Sequence, residues 1–264
     1  MRSPSRPSLS PLPLIGWAML SLAPSLDAEE AAPRTNRATT EITSSRDRHF
    51  DGFSGRTVRN REMASSMVKL RQPNAPRPGE VAPSFRLYSL TRNREVDLRA
   101  LHRDKPVVLY FASWGCDIFR ESLAGVMELH FRYQAEVDFV LVYIREAHPR
   151  GGFGESLGRV ADPRTNEERR RIARRCREQL RLPFEVLVDD IDDPVATRWA
   201  GWPVRIFVIG TNGRVAYAGA QGPWGYRPYR GYIHGDGDRV GWDLHFSEGS
   251  LEEYLERSYP KSDS

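Results

Sequence analysis

The sequence predicts an α/β sandwich in which helices cover a central mixed β-sheet. Two continuous apolar runs, at 106–111 and 137–144, are typical of buried parallel strands. A stretch between them has apolar residues spaced for one face of a helix. Nearer the C-terminal end, 204–219 contains two short strands around an Asn-Gly turn, which predicts an antiparallel hairpin. Parallel and antiparallel strands together indicate a mixed sheet.

The predicted elements alternate along the chain after a proline-rich break at 72–79. In chain order they are a hairpin at 85–98, a strand at 106–111, a helix after Cys116, a strand at 137–144, a helix from Asn166 to about Leu180, a strand at 184–189, a short helix at 195–200, a hairpin at 204–219 and a final helix that follows Ser250. Capping boxes are predicted at 165–168 and 250–253. This order is that of a thioredoxin-like sandwich with an added N-terminal hairpin.

The first part of the chain has the composition of leader and linker. Arg2 and Arg6 precede a short apolar run at 12–23, which predicts a signal peptide at 1–28 and export to the periplasm or the exterior. A disordered leader rich in proline and serine is the alternative interpretation. The stretch 29–76 is predicted to be a linker with one short helix. The domain then occupies 77–264 and carries a hairpin-like insertion at about 227–246.

Charge and cysteine content exclude several classes of protein. The net charge is +4, but eight arginines lie between 164 and 181 among glutamates. We interpret them as a solvated helix face and predict no nucleic-acid partner. The apolar run at 12–23 is too short to span a bilayer, so no stable membrane span is expected in the mature protein. Two cysteines are too few for a disulfide scaffold or a four-cysteine zinc site, and no metal site is predicted.

Cys116 is the first candidate for chemistry, because it stands where a buried strand gives way to a helix. Free amides and the helix dipole at such a turn are expected to lower the pKa of the thiol and favour a thiolate nucleophile. A buried structural cysteine is the alternative. Phe119 occupies the second position of a C-x-x-C, so this is not a dithiol motif. Cys176 lies in the middle of the next helix, which is expected to cover the opposite face of the sheet.

Two further segments are expected near the thiol. Tyr143, Glu146 and His148 follow the next strand, and the loops at this edge of a sheet border one crevice. His148 is a candidate proton donor that Glu146 orients, or else a surface histidine. Pro203 directly precedes a strand, where a cis peptide beside the thiol and an ordinary trans proline are both consistent with the sequence.

These segments together resemble the iodothyronine deiodinase family. The resemblance runs from about 77 to 226 and includes the final helix; its most specific stretches are 140–149 and 219–226. It implies reductive removal of iodine from an aromatic ring, with Cys116 where animal enzymes carry selenocysteine. The implied catalytic residues are Cys116, His148, Glu146, Ser113 and Tyr143. The predicted substrate-binding residues are His148, Arg205, Trp224 and Pro203.

The resemblance also implies partners. A small-molecule substrate is expected, with an external thiol reductant or a thioredoxin-like reductase in place of a bound cofactor. A homodimer is included among the expected assemblies.

Several positions depart from the family pattern and keep alternatives open. They are Asp117, where the family has proline, Pro163, where it has a second histidine, Val204, where it has glutamate, and Gln221, where it has a basic residue. The first hypothesis is a deiodinase-like thiol oxidoreductase. A one-cysteine peroxiredoxin-like peroxidase is the enzymatic alternative, since Ser113 lies three residues before Cys116. A non-catalytic thioredoxin-fold binding module is the third.

Overall fold

The computed structural model describes residues 75–150, 160–222, 225–232 and 249–261. The strands are β1 (Arg86–Ser89), β2 (Arg94–Asp97), β3 (Val107–Ala112), β4 (Asp138–Tyr143), β5 (Glu185–Val188), β6 (Arg205–Ile209) and β7 (Val215–Ala218). The helices are α1 (Leu98–Leu101), α2 (Asp117–Tyr133), α3 (Asn166–Gln179), α4 (Pro194–Arg198) and α5 (Leu251–Ser258). The predicted signal peptide, the linker helix and the insertion beyond Tyr232 lie outside these residues. Among the helices described, none is long and apolar enough to cross a membrane.

The described strands form one sheet in the order β2-β1-β5-β4-β3-β6-β7. The pairs β3–β4 and β4–β5 are parallel, and the remaining neighbours are antiparallel. The predicted mixed sheet and the N-terminal hairpin are therefore confirmed, as is the thioredoxin-like α/β sandwich.

Both crossover helices, α2 and α3, lie on the same face of the sheet. From β3 the chain steps to β4 and then to β5 in one direction, so two right-handed crossovers place their helices on one side. Tyr110 and Ala112 of β3 belong to this face, against which α5 also packs. Leu109 and Phe111 point to the opposite face, which α1 and α4 cover. The expectation that the helix carrying Cys176 covers the face opposite to α2 is wrong.

Helix ends follow the predicted caps with one difference. Ser250 and Glu253 form the complete capping box at the start of α5. At α3 the Thr165 side chain accepts from the amide of Glu168, as predicted. The Glu168 carboxylate, however, accepts from the amide of Arg164 at 2.7 Å instead of closing the box on Thr165. The single-turn helix α1 was not expected; the Asp97 side chain caps it.

The carboxyl ends of β3 and β4 lie side by side. Ala112 pairs with Tyr143 in the parallel register, and the amide of Ile144 donates to the carbonyl of Ala112 at 3.1 Å. The segments that follow the two strands therefore start from neighbouring points, and this register positions the candidate site.

Candidate active site

Cys116 ends the turn between β3 and α2. It is the N-cap residue of α2, and its amide donates to the carbonyl of Ser113 at 3.1 Å. The residue is only 1% exposed. The predicted placement at a strand-to-helix turn is confirmed, but the sulphur is enclosed.

Burial dominates the ionisation of this thiol. It raises the pKa of Cys116 to about 12, and the charges of Asp117 and Glu146 also raise the pKa. The Cys116 side chain makes no capping hydrogen bond in the structure. The backbone amides of Phe119 and Ile118 nevertheless favour the thiolate, which lowers the pKa of Cys116. The expected low pKa is therefore wrong for the enclosed state, since desolvation outweighs the helix terminus. Formation of the thiolate has to accompany an event that changes the surroundings of the sulphur.

Glu146 links the two loops of the site. Its carboxylate accepts from the amide of Gly115 at 2.6 Å and from the hydroxyl of Tyr143. The residue is 2% exposed. Burial raises the pKa of Glu146 to about 7, while the bonds from Tyr143 and Gly115 and the charge of Arg169 lower the pKa. A carboxyl group in this condition is able to hold or release a proton near neutral pH.

Gly115 is required where these loops meet. A Cβ added there would lie 2.8 Å from Oε2 of Glu146 and 3.2 Å from the carbonyl oxygen of His148. The close approach of Gly115 therefore brings the His148 backbone next to the turn that carries Cys116. The His148 side chain is half-buried, at the rim of the site.

Ser113 and Tyr143 join the same two segments. Ser113 Oγ accepts from the amide of Ala147 at 3.2 Å, and the Tyr143 hydroxyl accepts from the amide of Trp114 at 3.2 Å. Burial raises the pKa of Tyr143 well above its usual range, so the phenol stays protonated and donates to Glu146. The structure thus brings together the segments carrying all five predicted catalytic residues: Ser113, Cys116, Tyr143, Glu146 and His148.

Of the other predicted substrate-binding residues, two lie in the described structure. The Trp202–Pro203 peptide bond is cis, which decides between the two interpretations of that proline. Arg205 is buried, and its Nε donates to the carbonyl of Gly219 at 2.8 Å. Trp224 lies outside the described residues. Gln221 donates to the carbonyl of Trp202 at 2.6 Å, so it tethers the loop before β6.

Arg169 is the buried charge that sequence analysis missed. Among the arginines interpreted as a solvated face, it is fully buried and its Nη1 lies 2.6 Å from Oδ1 of Asp193. The same nitrogen donates to the carbonyl of Asp190 at 2.6 Å. The signal was the helical spacing of buried residues in α3, which are Arg169, Ile172, Ala173 and Cys176. That spacing places Arg169 on the core side.

Cys176 is buried on the same side of the sheet as Cys116, and both are free thiols. Burial raises the pKa of Cys176 well above its usual range; the charge of Glu146 acts in the same direction. Glu146 therefore influences the ionisation of both thiols.

Known proteins are similar to this chain over more than half of its length. The model of the family described as iodothyronine deiodinase matches residues 45–231. A thyroxine 5-deiodinase of Sparus aurata is 31% identical over 156 residues, which are 56% of this chain and 56% of that protein. A type I iodothyronine deiodinase of Xenopus laevis is 26% identical over 151 residues, covering 57% of this chain and 59% of that protein. The chain thus matches somewhat more than half the length of these relatives.

Solved structures with weaker similarity were also found. A putative thiol:disulfide interchange protein DsbE from Chlorobium tepidum has a TM-score of 0.42 at 21% identity, over 58% of this chain and 89% of that chain. An uncharacterised conserved protein from Geobacillus kaustophilus has a TM-score of 0.46 at 19% identity, over 66% of this chain and 86% of that chain.

Proposed function

The chain belongs to the iodothyronine deiodinase family, a family of oxidoreductases, and we propose that it is a deiodinase-like thiol oxidoreductase with Cys116 as its nucleophile. One observation carries this proposal. The loop that bears Cys116 and the loop that bears Glu146 are bonded to each other, through Gly115 and Glu146, at the edge where β3 and β4 end. A nucleophile and a proton-exchanging group therefore belong to one fixed unit.

The proposed reaction replaces iodine on an aromatic ring by hydrogen. The thiolate of Cys116 forms a bond to iodine while the carbon–iodine bond breaks, and the ring carbon takes up a proton. An external thiol then attacks the sulphur, forms a mixed disulfide and releases iodide. A second thiol frees Cys116 and leaves as the disulfide of the reductant. In sum, one aryl iodide and two thiols give one arene, one disulfide, one proton and one iodide.

Glu146 is the proposed source of the proton. A carboxyl group with a pKa of about 7 is partly protonated at neutral pH. Tyr143 holds one of its oxygens and the Gly115 amide holds the other, so its position relative to the Cys116 turn is fixed. We place His148 at the rim as the residue that meets the substrate, since its side chain is half-buried while its backbone contacts Gly115.

Because Cys116 is enclosed, we expect substrate binding to influence the ionisation of its thiol. In the structure the sulphur is 1% exposed and its pKa is raised to about 12. We propose that loss of the thiol proton is coupled to the opening of the Cys116 turn when an aryl iodide enters. A large halogen would then replace the apolar packing around the sulphur.

Iodide release from iodinated phenols and iodothyronines, with dithiothreitol as reductant, tests the reaction. The full-length protein is expected to release iodide in proportion to enzyme, and to form a mixed disulfide at Cys116 that mass spectrometry detects under limiting reductant. Release that does not require the protein, or an adduct at Cys176 only, would overturn the proposal.

The same assay separates the alternative functions. Consumption of hydrogen peroxide without iodide release would indicate the one-cysteine peroxidase. The raised pKa of the Cys116 thiol bears equally on both reactions, since each needs the thiolate. Binding of an iodothyronine without any turnover would indicate a binding module.

Export and reductant complete the proposal. We propose that the protein acts outside the cytoplasm and takes electrons from a small thiol or a thioredoxin-like reductase. Fractionation of the native host tests the location: recovery of an N-terminally shortened chain from the exported fraction is expected, and an intact cytoplasmic chain would contradict it.

A further inference from the structure

A chain of buried hydroxyl groups runs toward the first turn of α2. The Tyr226 hydroxyl donates to the Tyr110 hydroxyl at 2.8 Å, which lies 3.1 Å from Ser122 Oγ. Ser122 Oγ donates to the carbonyl oxygen of Ile118 at 2.7 Å. A hydroxyl has a single proton, so donation by Ser122 to Ile118 leaves Tyr110 as the donor to Ser122. We call Tyr226, Tyr110 and Ser122 the hydroxyl chain; all three residues are buried.

The hydroxyl chain ends on a peptide group that faces the nucleophile. The carbonyl of Ile118 and the amide of Phe119 belong to one peptide unit. Phe119 is the third residue of α2, and its N–H is among those left without an acceptor inside the helix. At a helix start such an N–H points toward the N-cap side chain, here that of Cys116.

Tyr232 supplies a second hydroxyl to the same carbonyl. Its O–H lies 3.3 Å from the oxygen of Ile118 and 3.4 Å from Oε2 of Glu121. The ring of Tyr232 packs edge-on against Tyr226 at 6.0 Å. Tyr232 lies in the predicted insertion at 227–246. The described start of that insertion therefore reaches the peptide unit beside Cys116.

We propose that the hydroxyl chain and Tyr232 are a positioning device for Cys116 that acts through the Ile118–Phe119 peptide unit. A hydrogen bond received by a peptide carbonyl polarises the unit and strengthens its N–H as a donor. The amides of Phe119 and Ile118 are the groups that favour the thiolate, against burial and against the charges of Asp117 and Glu146. This proposal rests on the proposed role of Cys116 as the nucleophile. It assigns a positioning role to residues that take no part in the hydrogen bonds of Glu146.

The charged and titratable groups around the sulphur come from several elements. Asp117 on α2 and Glu146 after β4 oppose the thiolate. Burial raises the pKa values of Tyr110 on β3 and of Tyr232, and the charge of Cys116 acts in the same direction. Both remain protonated donors, so the polarity of the hydroxyl chain is maintained in the neutral range.

Alkylation of Cys116 by iodoacetamide against pH is the test, in full-length protein carrying Cys176→Ser. In Ser122→Ala, we expect the pH–rate profile to shift upward and the rate at a given pH to fall by about threefold, equivalent to about half a pKa unit. Ser122→Thr keeps a hydroxyl and is expected to restore the rate. Tyr133→Phe is the matched control: Tyr133 is buried on α2, at the end remote from Ile118.

Two further readouts distinguish tuning from a structural role. The effect is expected to be largest in Ser122→Ala and smaller in both Tyr110→Phe and Tyr226→Phe, because the two phenols lie 3.1 and 3.3 Å from Ser122 Oγ and act on the Ile118 carbonyl through it. The amide proton resonance of Phe119 is expected to move upfield in Ser122→Ala and in Tyr232→Phe. Loss of packing alone would lower the unfolding midpoint without moving this resonance or the pH profile.

Failure of the device and failure of the proposed function give different results. An unchanged alkylation profile and an unchanged Phe119 resonance in folded Ser122→Ala would overturn the device, whatever the substrate. Absence of iodide release by the unaltered protein would overturn the deiodinase reaction alone. If Cys116 resists alkylation throughout, the Phe119 resonance decides.

Discussion

Cys116 and Cys176 are the same residue type in the same half of the core, yet their backbones differ. Both are free, buried and have raised pKa values. Cys116 is the N-cap of α2, where the amides of Ile118 and Phe119 are open to its sulphur. Cys176 lies within α3, where amides are bonded to carbonyls one turn back. Burial therefore does not distinguish the two thiols, whereas the local backbone does.

The two helices are also held in different ways. The start of α2 is tied by the bond of the Gly115 amide to Glu146, a titratable group, and by the bond of Ser122 to the Ile118 carbonyl. The start of α3 is tied by the buried ion pair of Arg169 with Asp193, whose nitrogen and oxygen are 2.6 Å apart.

The largest expected effect separates the two cysteines directly. Cys116→Ser is expected to lower iodide release at least ~1000-fold, because the hydroxyl is a far weaker nucleophile toward iodine. Cys176→Ser is expected to stay within about twofold of the unaltered protein. Steady-state iodide release measures both, and equal losses in the two variants would remove the distinction.

The next effect tests α3 as a structural helix. Arg169→Met is expected to lower the free energy of unfolding by about 3–5 kcal/mol, because it leaves Asp193 buried without its cation. Urea unfolding measures the change. Arg171→Met, on an exposed position of α3, is the control and is expected to change stability by less than about 0.5 kcal/mol. Partial recovery is expected when Asp193→Asn is added, since it removes the charge and asparagine tolerates the left-handed backbone at this position, where φ is 56°; equal destabilisation by both arginine variants would contradict this account.

The third prediction concerns the proton at the Cys116 site. Glu146→Gln is expected to lower turnover about 10- to 100-fold, since the amide cannot donate the proton. In the unaltered protein, the pH profile of turnover is expected to have a level limb above about 7, because loss of the Glu146 proton then offsets the continuing ionisation of Cys116. This limb should be absent from the Gln variant. The exposed Glu128 offers the control Glu128→Gln, and a pH limb that survives in Glu146→Gln would assign it to another group.

The last prediction is a slope of stability against pH. Burial raises the pKa values of Glu146 and Asp189 to about 7, so these two groups bind protons more tightly in the folded chain than in the unfolded one. Their contribution to stability is therefore expected to be greatest at low pH and to fall as pH rises from about 4 to 7, by at most about 1.4 kcal/mol per pH unit for each group. Asp189→Asn keeps one of the two oxygens that accept separately from the amides of Val195 and Ala196, and it should reduce the slope. Urea unfolding across this range measures it.

The fold was largely predictable because its strands are encoded by local pattern. The apolar runs at 106–111 and 137–144 correspond to β3 and β4, and the Asn-Gly turn correctly predicted the hairpin of β6 and β7. The side of the sheet that α3 covers was not predictable, because it depends on whether the strand after α3 is added on one side of β4 or on the other. That placement is set by packing between strands distant in sequence.

The meeting of the two loops was predictable, whereas the electrostatic state of their residues was not. Motifs identified Cys116 and Glu146, and the shared strand edge predicted that their loops meet. The raised pKa of Cys116 was not predictable, since it depends on how fully the turn is enclosed. Ser122 and Tyr226 are 104 positions apart, and no local pattern links a serine in a helix to a tyrosine after the last strand.

Gly125 lies where the start of the predicted insertion at 227–246 packs against α2, the helix that begins after Cys116. A Cβ added at this position of α2 would overlap the ring of Tyr229, which leads to Tyr232 and the peptide unit beside Cys116. The absence of a side chain at Gly125 therefore leaves room for the Tyr229 ring against α2, and this contact holds the segment that leads to Tyr232.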